Sequence, residues 1–461
     1  MLKIIIISFF PIIITSKLLF VLEHFRHGAR GPCDDLDENG NDYLGIHWDT
    51  LGELHPVGMR MHYLLGYRNK LQYKNFIHEY YDPREIYVIS TDLNRTIASA
   101  LSHLHGMFTK GPILKDNQLN FAVPPIQLSN ETKIEIDNLG NFALPNQIQT
   151  IPVHIFNIID HFFLLHEVES TSDCKPIKKI RDNISSQQSF IDYANKFNET
   201  YGEGLLKYLK REKDENLIAN FSYIHYFCDH LISDVTTMQD MNRINELKNY
   251  NINIDDLVNS CNDALEKQLF DVVFGDKNVI RMSQSPSMRQ LFKYMEGRIN
   301  LNKDNKSDYL DYNYPRFVIY SAHDTSIAGV EKLMNLVFGC RLINPLYAAN
   351  LYFELHFENN KYIVKYIMND DVIKEFDYFI FKKEIEKYLW SEKEIEDFCQ
   401  FSYKKMNSEE NYYYTYEKIL YYLIVIMILS ILGLGIGIFY IKCKINNIKN
   451  KKNNFDFVES E

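Results

Sequence analysis

The chain has 461 residues, of which 46% are apolar and 24% charged, so it can bury a large core and is not a disordered polypeptide. Its formal charge of −11 excludes a nucleic-acid binder, which needs clustered lysine and arginine against the phosphate backbone.

Residues 1–16 carry Lys3, an apolar run from Ile4 to Ile14 broken at Ser8, then Thr15 and Ser16. That layout predicts a signal peptide, too short to span a bilayer. From 17 to 119 the pattern alternates. LLFVLEHF reads as a buried strand, 55–72 as a helix and EIYVIS at 85–90 as a second strand, and a helix follows with Asp92 in its first turn. Residues 120–270 are helical and polar in their linkers, and they hold the sequons at Asn130, Asn183, Asn198 and Asn220; a fifth sequon is at Asn305. This stretch is expected to be a mainly α insertion that caps the sheet.

The α/β rhythm resumes over 271–390. RFVIYSA at 316–322 is a strand, the helix after it ends at Gly339, and two more strands flank the turn Glu358-Asn359-Asn360. Residues 391–418 read as a stalk. Ile419 to Ile441 holds no charge. At 1.5 Å per residue it reaches about 34 Å, enough to cross a membrane. Tyr421 and Tyr422 mark one boundary, and Lys442 and Lys444 open a cytosolic tail over 442–461. Gly433 and Gly437 have a spacing compatible with a homodimer. Cys33, Cys174, Cys228, Cys261, Cys340 and Cys399 form an even set on the lumenal side, where disulfides persist. The expected fold is α/β, a mostly parallel sheet with helices on both faces, plus a largely α inserted cap domain and a C-terminal transmembrane helix.

Three short motifs carry chemistry. Arg26-His27-Gly28-Ala29-Arg30-Gly31-Pro32 follows the first strand, where open α/β sheets bind ligands. Two guanidiniums can hold a phosphate dianion while the imidazole attacks phosphorus, although such a segment also suits a salt-bridged surface turn. Ser90-Thr91-Asp92-Leu93-Asn94-Arg95-Thr96 places an arginine in a first helical turn, an unfavourable position unless an anion sits there. Tyr320-Ser321-Ala322-His323-Asp324-Thr325 offers a second histidine and a carboxyl that can give up a proton or cap a helix.

Taken in that order and at those strand ends, R-H-G-x-R-x-P, S-T-D-x-x-R-T and S-A-H-D-T resemble the histidine acid phosphatase family, within the phosphoglycerate-mutase-like superfamily. The likeness is greatest to its lysosomal and prostatic acid phosphatases and covers about 18–380. LGELHPVGMRMHYLLG at 51–66 is similar to a family helix, with His55 and Met61 where Thr and Gln are expected.

The resemblance implies catalysis through a phosphohistidine at His27. Arg26, Arg30, Arg95 and His323 would bind the phosphoryl group, and Asp324 would protonate the leaving oxygen. It implies a small phosphate monoester as substrate, an acidic optimum, and no cofactor or metal. With the two terminal segments it implies a type I membrane protein whose catalytic domain faces a lysosome-like lumen or the cell exterior. Two alternatives stand beside it: a phytase or inositol-polyphosphate phosphatase of the same family, and a non-catalytic membrane-anchored binding protein on this fold.

Overall fold

The computed structural model describes residues 16–33, 51–155, 174–208, 221–238, 241–399, 441, 442 and 444. The expected signal peptide, except Ser16, and the expected membrane span, except Ile441, lie outside the described residues. Among the described residues no helix is long and apolar enough to cross a membrane.

The architecture follows from the first strand, β1 (Lys17–Arg26), whose last eight residues are all buried. A strand covered on both faces reads as a nearly continuous apolar run, and KLLFVLEHFR does so except at Lys17, Glu23, His24 and Arg26. The elements after it are α1 (Pro56–Gln72), β2 (Ile86–Ser90), α2 (Asn94–Met107), α3 (Asn130–Leu139) and β3 (His154–Ile155). Next come the helices α4 (Lys175–Ser185), α5 (Gln188–Tyr208), α6 (Phe221–Thr237), α7 (Met241–Glu246), α8 (Ile254–Lys267) and α9 (Lys277–Lys303). The chain then forms β4 (Phe317–Ala322), α10 (Asp324–Phe338), β5 (Asn350–Glu358), β6 (Lys361–Met368), β7 (Asp371–Asp377), α11 (Tyr378–Glu386) and α12 (Glu392–Cys399).

The strands form one sheet in the order β3-β2-β4-β1-β5-β6-β7. The sheet is mixed, which corrects the expectation of a mostly parallel one. β3, β2, β4 and β1 pair in parallel, whereas β5, β6 and β7 join antiparallel. Two tight turns explain the antiparallel half. Asn359 and Asn360 (φ 48° and 62°) close β5 on β6, and Asn369 and Asp370 (φ 47° and 73°) close β6 on β7. Both dipeptides tolerate the left-handed backbone that two-residue hairpins need. The second turn, and with it β7, escaped the sequence reading.

On one face of the sheet α1 and α2 bury Phe25, Ile86, Val88, Ala100, Leu104, Phe317 and Ile319 with one another. The helical insertion has a core of its own around Phe190, Phe197, Phe221, Leu231 and Leu257. It is not wholly α, because β3 adds an edge strand to the main sheet through Ile89↔His154. Cys228–Cys261 ties α6 to α8, and Cys174–Cys399 ties the start of α4 to the end of α12. The compact body therefore runs to Cys399, and the stalk expected from 391 cannot begin before that residue. Cys340 is buried and takes part in no disulfide, so the even set of six is reduced to two bridges among the described residues; Cys33 is in neither.

Candidate active site

The parallel half of the sheet brings the three motifs together. β1, β4 and β2 are neighbours, with Arg26 opposite Ala322 and Ser90 opposite Ser321. Their carboxyl ends therefore present Arg26-His27, His323-Asp324 and Thr91 side by side.

The backbone beyond β1 is fixed before it turns away. His27 N–H donates to Ala322 O at 2.9 Å, and Gly28 N–H donates to Ser99 Oγ on α2 at 3.1 Å. Gly28 lies so close to Gly58 of α1 that a Cβ on either would strike backbone atoms. The glycine of R-H-G is thus required by close approach. His55 caps α1 by accepting from Val57 N–H at 3.2 Å, so the unexpected histidine still serves the helix start.

His27 Nδ1 lies 2.9 Å from the carbonyl oxygen of Gly28. A carbonyl only accepts, so Nδ1 carries the proton and the lone pair of neutral His27 is on Nε2. Burial, and then the positive charges of Arg95, Arg30, Arg26 and His323, hold the His27 pKa well below its ordinary value. All four phosphate-binding candidates therefore act electrostatically on one imidazole. Its ring stands 5.5 Å from that of His323, centroid to centroid.

Arg26 donates through Nη2 to Asp324 Oδ2 at 2.8 Å and through Nη1 to Pro345 O at 2.9 Å. Arg30 is gripped at both Nη atoms by Asp229, at 2.8 and 3.1 Å. Burial opposes charge on both partners, yet their attraction raises the Arg30 pKa and holds the Asp229 carboxyl well below the usual range. The Nε–H donors of Arg26, Arg30 and Arg95 are buried and have no hydrogen-bond acceptor in the protein. Three unsatisfied guanidinium donors around one neutral imidazole make a receptor for an oxyanion. His323 Nε2 is 2.9 Å from Thr91 Oγ1, which is 2.7 Å from Thr96 Oγ1. The second threonine of S-T-D-x-x-R-T thus links the first to the helix start.

Two details of the sequence reading change. α2 starts at Asn94, so Arg95 is in the first turn as expected but Asp92 precedes the helix. α10 begins at Asp324 with His323 as its N-cap, so the carboxyl is on the first helical residue and accepts from Thr325 N–H at 2.7 Å.

Sequence reasoning missed Asp229, Tyr347 and His62. Tyr347 lies under Arg26, 4.4 Å from Cζ to the ring centroid, and 5.9 Å from Arg30 Cζ. His62, fully buried on α1, has Nε2 3.1 Å from Arg26 O. Asp229 and Tyr347 reach the site through long-range folding from helical and loop sequence with no motif around them, so no local signal marked them.

A family model described as histidine phosphatase superfamily (branch 2) matches residues 17–369. The chain is 24% identical over 359 residues to prostatic acid phosphatase of Bos taurus, a match covering 76% of each protein. It is 25% identical over 359 residues to lysosomal acid phosphatase of Rattus norvegicus, covering 76% of this chain and 70% of that one. Among solved structures, a Hafnia alvei phytase in complex with tartrate is similar in fold, with a TM-score of 0.52 at 13% identity over 84% of this chain and 99% of the other. The chain belongs to the histidine phosphatase superfamily, branch 2, and is a phosphoric monoester hydrolase.

Proposed function

We propose that the protein is an acid phosphatase that transfers the phosphoryl group of a monoester to His27 Nε2 and then to water. The observation that carries this reading is the neutral His27 ringed by three guanidiniums. An ordinary histidine would be protonated, and so not nucleophilic, in the acidic range where a carboxylic acid can serve as proton donor. Burial, and after it the charges that would bind phosphate, lower the pKa of this imidazole and so favour its unprotonated form.

Phosphoryl transfer depends mainly on positioning and charge stabilisation. Arg26, Arg30, Arg95 and His323 would hold the equatorial oxygens as Nε2 attacks from one side. Asp324 would give its proton to the departing alkoxide oxygen, then take one from the water that attacks the phosphohistidine. The prostatic and lysosomal acid phosphatases among the relatives support this substrate class and a secretory-pathway or lysosomal setting. The uncharged stretch over 419–441 supports attachment to the membrane.

The test is turnover of p-nitrophenyl phosphate by the full-length protein across pH 4–8. Hydrolysis that is greatest at acidic pH is expected. A folded protein with no phosphatase activity at any pH would leave the binding-protein alternative.

A further inference from the structure

Tyr347 sits in the site, and the phosphoryl transfer described above does not use it. It lies on the loop between α10 and β5, whose main chain is bonded to the end of β1 on both sides of the tyrosine. Ala348 N–H donates to His27 O at 3.1 Å, and Arg26 N–H donates to Ala349 O at 2.9 Å. Before it in the chain, Pro345 O accepts from Arg26 Nη1 at 2.9 Å. The backbone of Tyr347 is therefore fixed against Arg26 and His27.

Ala348 has φ 58°, a left-handed conformation that favours glycine or asparagine over alanine. Holding alanine there costs about 1–2 kcal/mol. The strained residue is the one that follows Tyr347 and holds the carbonyl of His27. Strain of this kind persists where the surroundings impose it, and it collects at functional sites.

The side chain is placed to match. Its ring is partly exposed and stands 5.9 Å from that of His27, centroid to centroid, with Arg26 Cζ 4.4 Å from the ring centre. The hydroxyl is buried, and among the described residues it has no hydrogen-bond partner. Asp229, whose charge acts on it, already accepts from both Nη atoms of Arg30. Burial pushes the Tyr347 pKa up, so the hydroxyl keeps its proton at neutral and acidic pH. An unpaired buried hydroxyl costs about 1–3 kcal/mol, which phenylalanine at the same place would avoid. Tyr347 Oη thus joins the Nε–H groups of Arg26, Arg30 and Arg95 as a fourth buried donor with no acceptor among the described residues.

We propose that Tyr347 is a further catalytic residue, whose Oη–H donates to a non-bridging oxygen of the transferring phosphoryl group. The proton stays on the phenol throughout. The hydroxyl adds a neutral, directional donor beside the charged ones, held in place before the substrate arrives. The inference rests on the phosphatase reading above and adds to it a residue outside the three motifs.

The test is Tyr347→Phe in the full-length protein, which removes the hydroxyl and keeps the ring under Arg26. Its kcat/KM should fall roughly 10–100-fold, the range for a hydrogen bond to a charged acceptor. The loss should be equal for p-nitrophenyl phosphate and for the alkyl ester glycerol 2-phosphate, because the contact is with the phosphoryl group. The inhibition constant for orthovanadate, which mimics the transferring group, should rise by a similar factor. Without ligand, the variant should unfold at the same urea concentration as the wild type or a higher one, because no unpaired hydroxyl is buried. Unchanged kcat/KM and vanadate inhibition would overturn the proposal. A loss confined to the alkyl ester would also overturn it, by placing the hydroxyl on the leaving oxygen. So would a variant that is unstable or does not fold, since the hydroxyl would then serve the fold. A wild type that neither hydrolyses p-nitrophenyl phosphate nor binds vanadate would instead sink the phosphatase reading itself.

Discussion

Arg26 and Asp324 form an ion pair at 2.8 Å between the ends of β1 and β4, so the proposed phosphate-binding group and the proposed proton donor hold each other in place. Asp324→Asn therefore removes both a proton and a partner of Arg26. Esters with poor alkyl leaving groups should lose roughly 10²–10⁴ in kcat, and activated aryl esters should lose less. KM should also shift on both, because Arg26 is released from its carboxylate. A uniform kcat loss across leaving groups of different basicity would argue against proton donation by Asp324.

His27→Ala should lower turnover by roughly 10⁴-fold or more while the protein remains folded, since the ring is the proposed nucleophile. Wild-type enzyme quenched in alkali after mixing with labelled substrate should carry phosphate that survives base and is lost in acid. The tautomer fixed by Gly28 O predicts attachment at Nε2. Label attached at Nδ1, or at a residue other than His27, would contradict the geometry.

What could be read from the sequence was what local pattern encodes. His27 and His323 follow directly on strands bounded by clear apolar runs, and Arg95 opens the helix after another, so their placement followed from order and spacing. β7 was hidden because DVIKEFD is an exposed edge strand with little alternation of its own. Asp229 and Tyr347 were hidden because their contacts are with residues distant in the chain. Asn94, beside Arg95, is exposed and its amide donates to Glu53 Oε1 at 2.8 Å, a contact with no local sequence signal.

Glu331 on α10 is 1% exposed, and burial pushes its carboxyl up to about 8. Its Oε1 accepts from Ile343 N–H at 2.8 Å, anchoring the loop that brings Pro345 and Tyr347 to Arg26. The folded state keeps this proton while the unfolded chain gives it up above about 4.5, so the contribution to stability is complete below 4.5 and is lost as pH rises towards 8. Glu331→Gln keeps the acceptor and cannot ionise. Urea unfolding at pH 5, 6 and 7 should show the wild type losing ground to this variant by up to about 1.4 kcal/mol per pH unit. Parallel stability curves would mean that Glu331 is not protonated in the fold.

His62 has the opposite sign. It is fully buried on α1, 4.6 Å from the ring of Phe25, and supports the Arg26 carbonyl through Nε2. Burial, with a smaller push from His103, lowers its pKa from 6.5 to about 3, against the pull of the Arg26 carbonyl. Between those values the unfolded chain binds a proton that the fold refuses, so stability falls as pH drops from 6.5 towards 3. In an acidic lumen this is a direct cost, offset in part by Glu331. His62→Gln keeps a donor for the Arg26 carbonyl and removes the titration. Its unfolding free energy should therefore depend less on pH between 4 and 6 than that of the wild type, by about one proton or roughly 1.4 kcal/mol per pH unit. At pH 7, where the wild-type ring is neutral in both states, the comparison reports packing and hydrogen bonding alone. A variant with unchanged slope from pH 4 to 6 would show that another group, not His62, sets the acid limit of this fold.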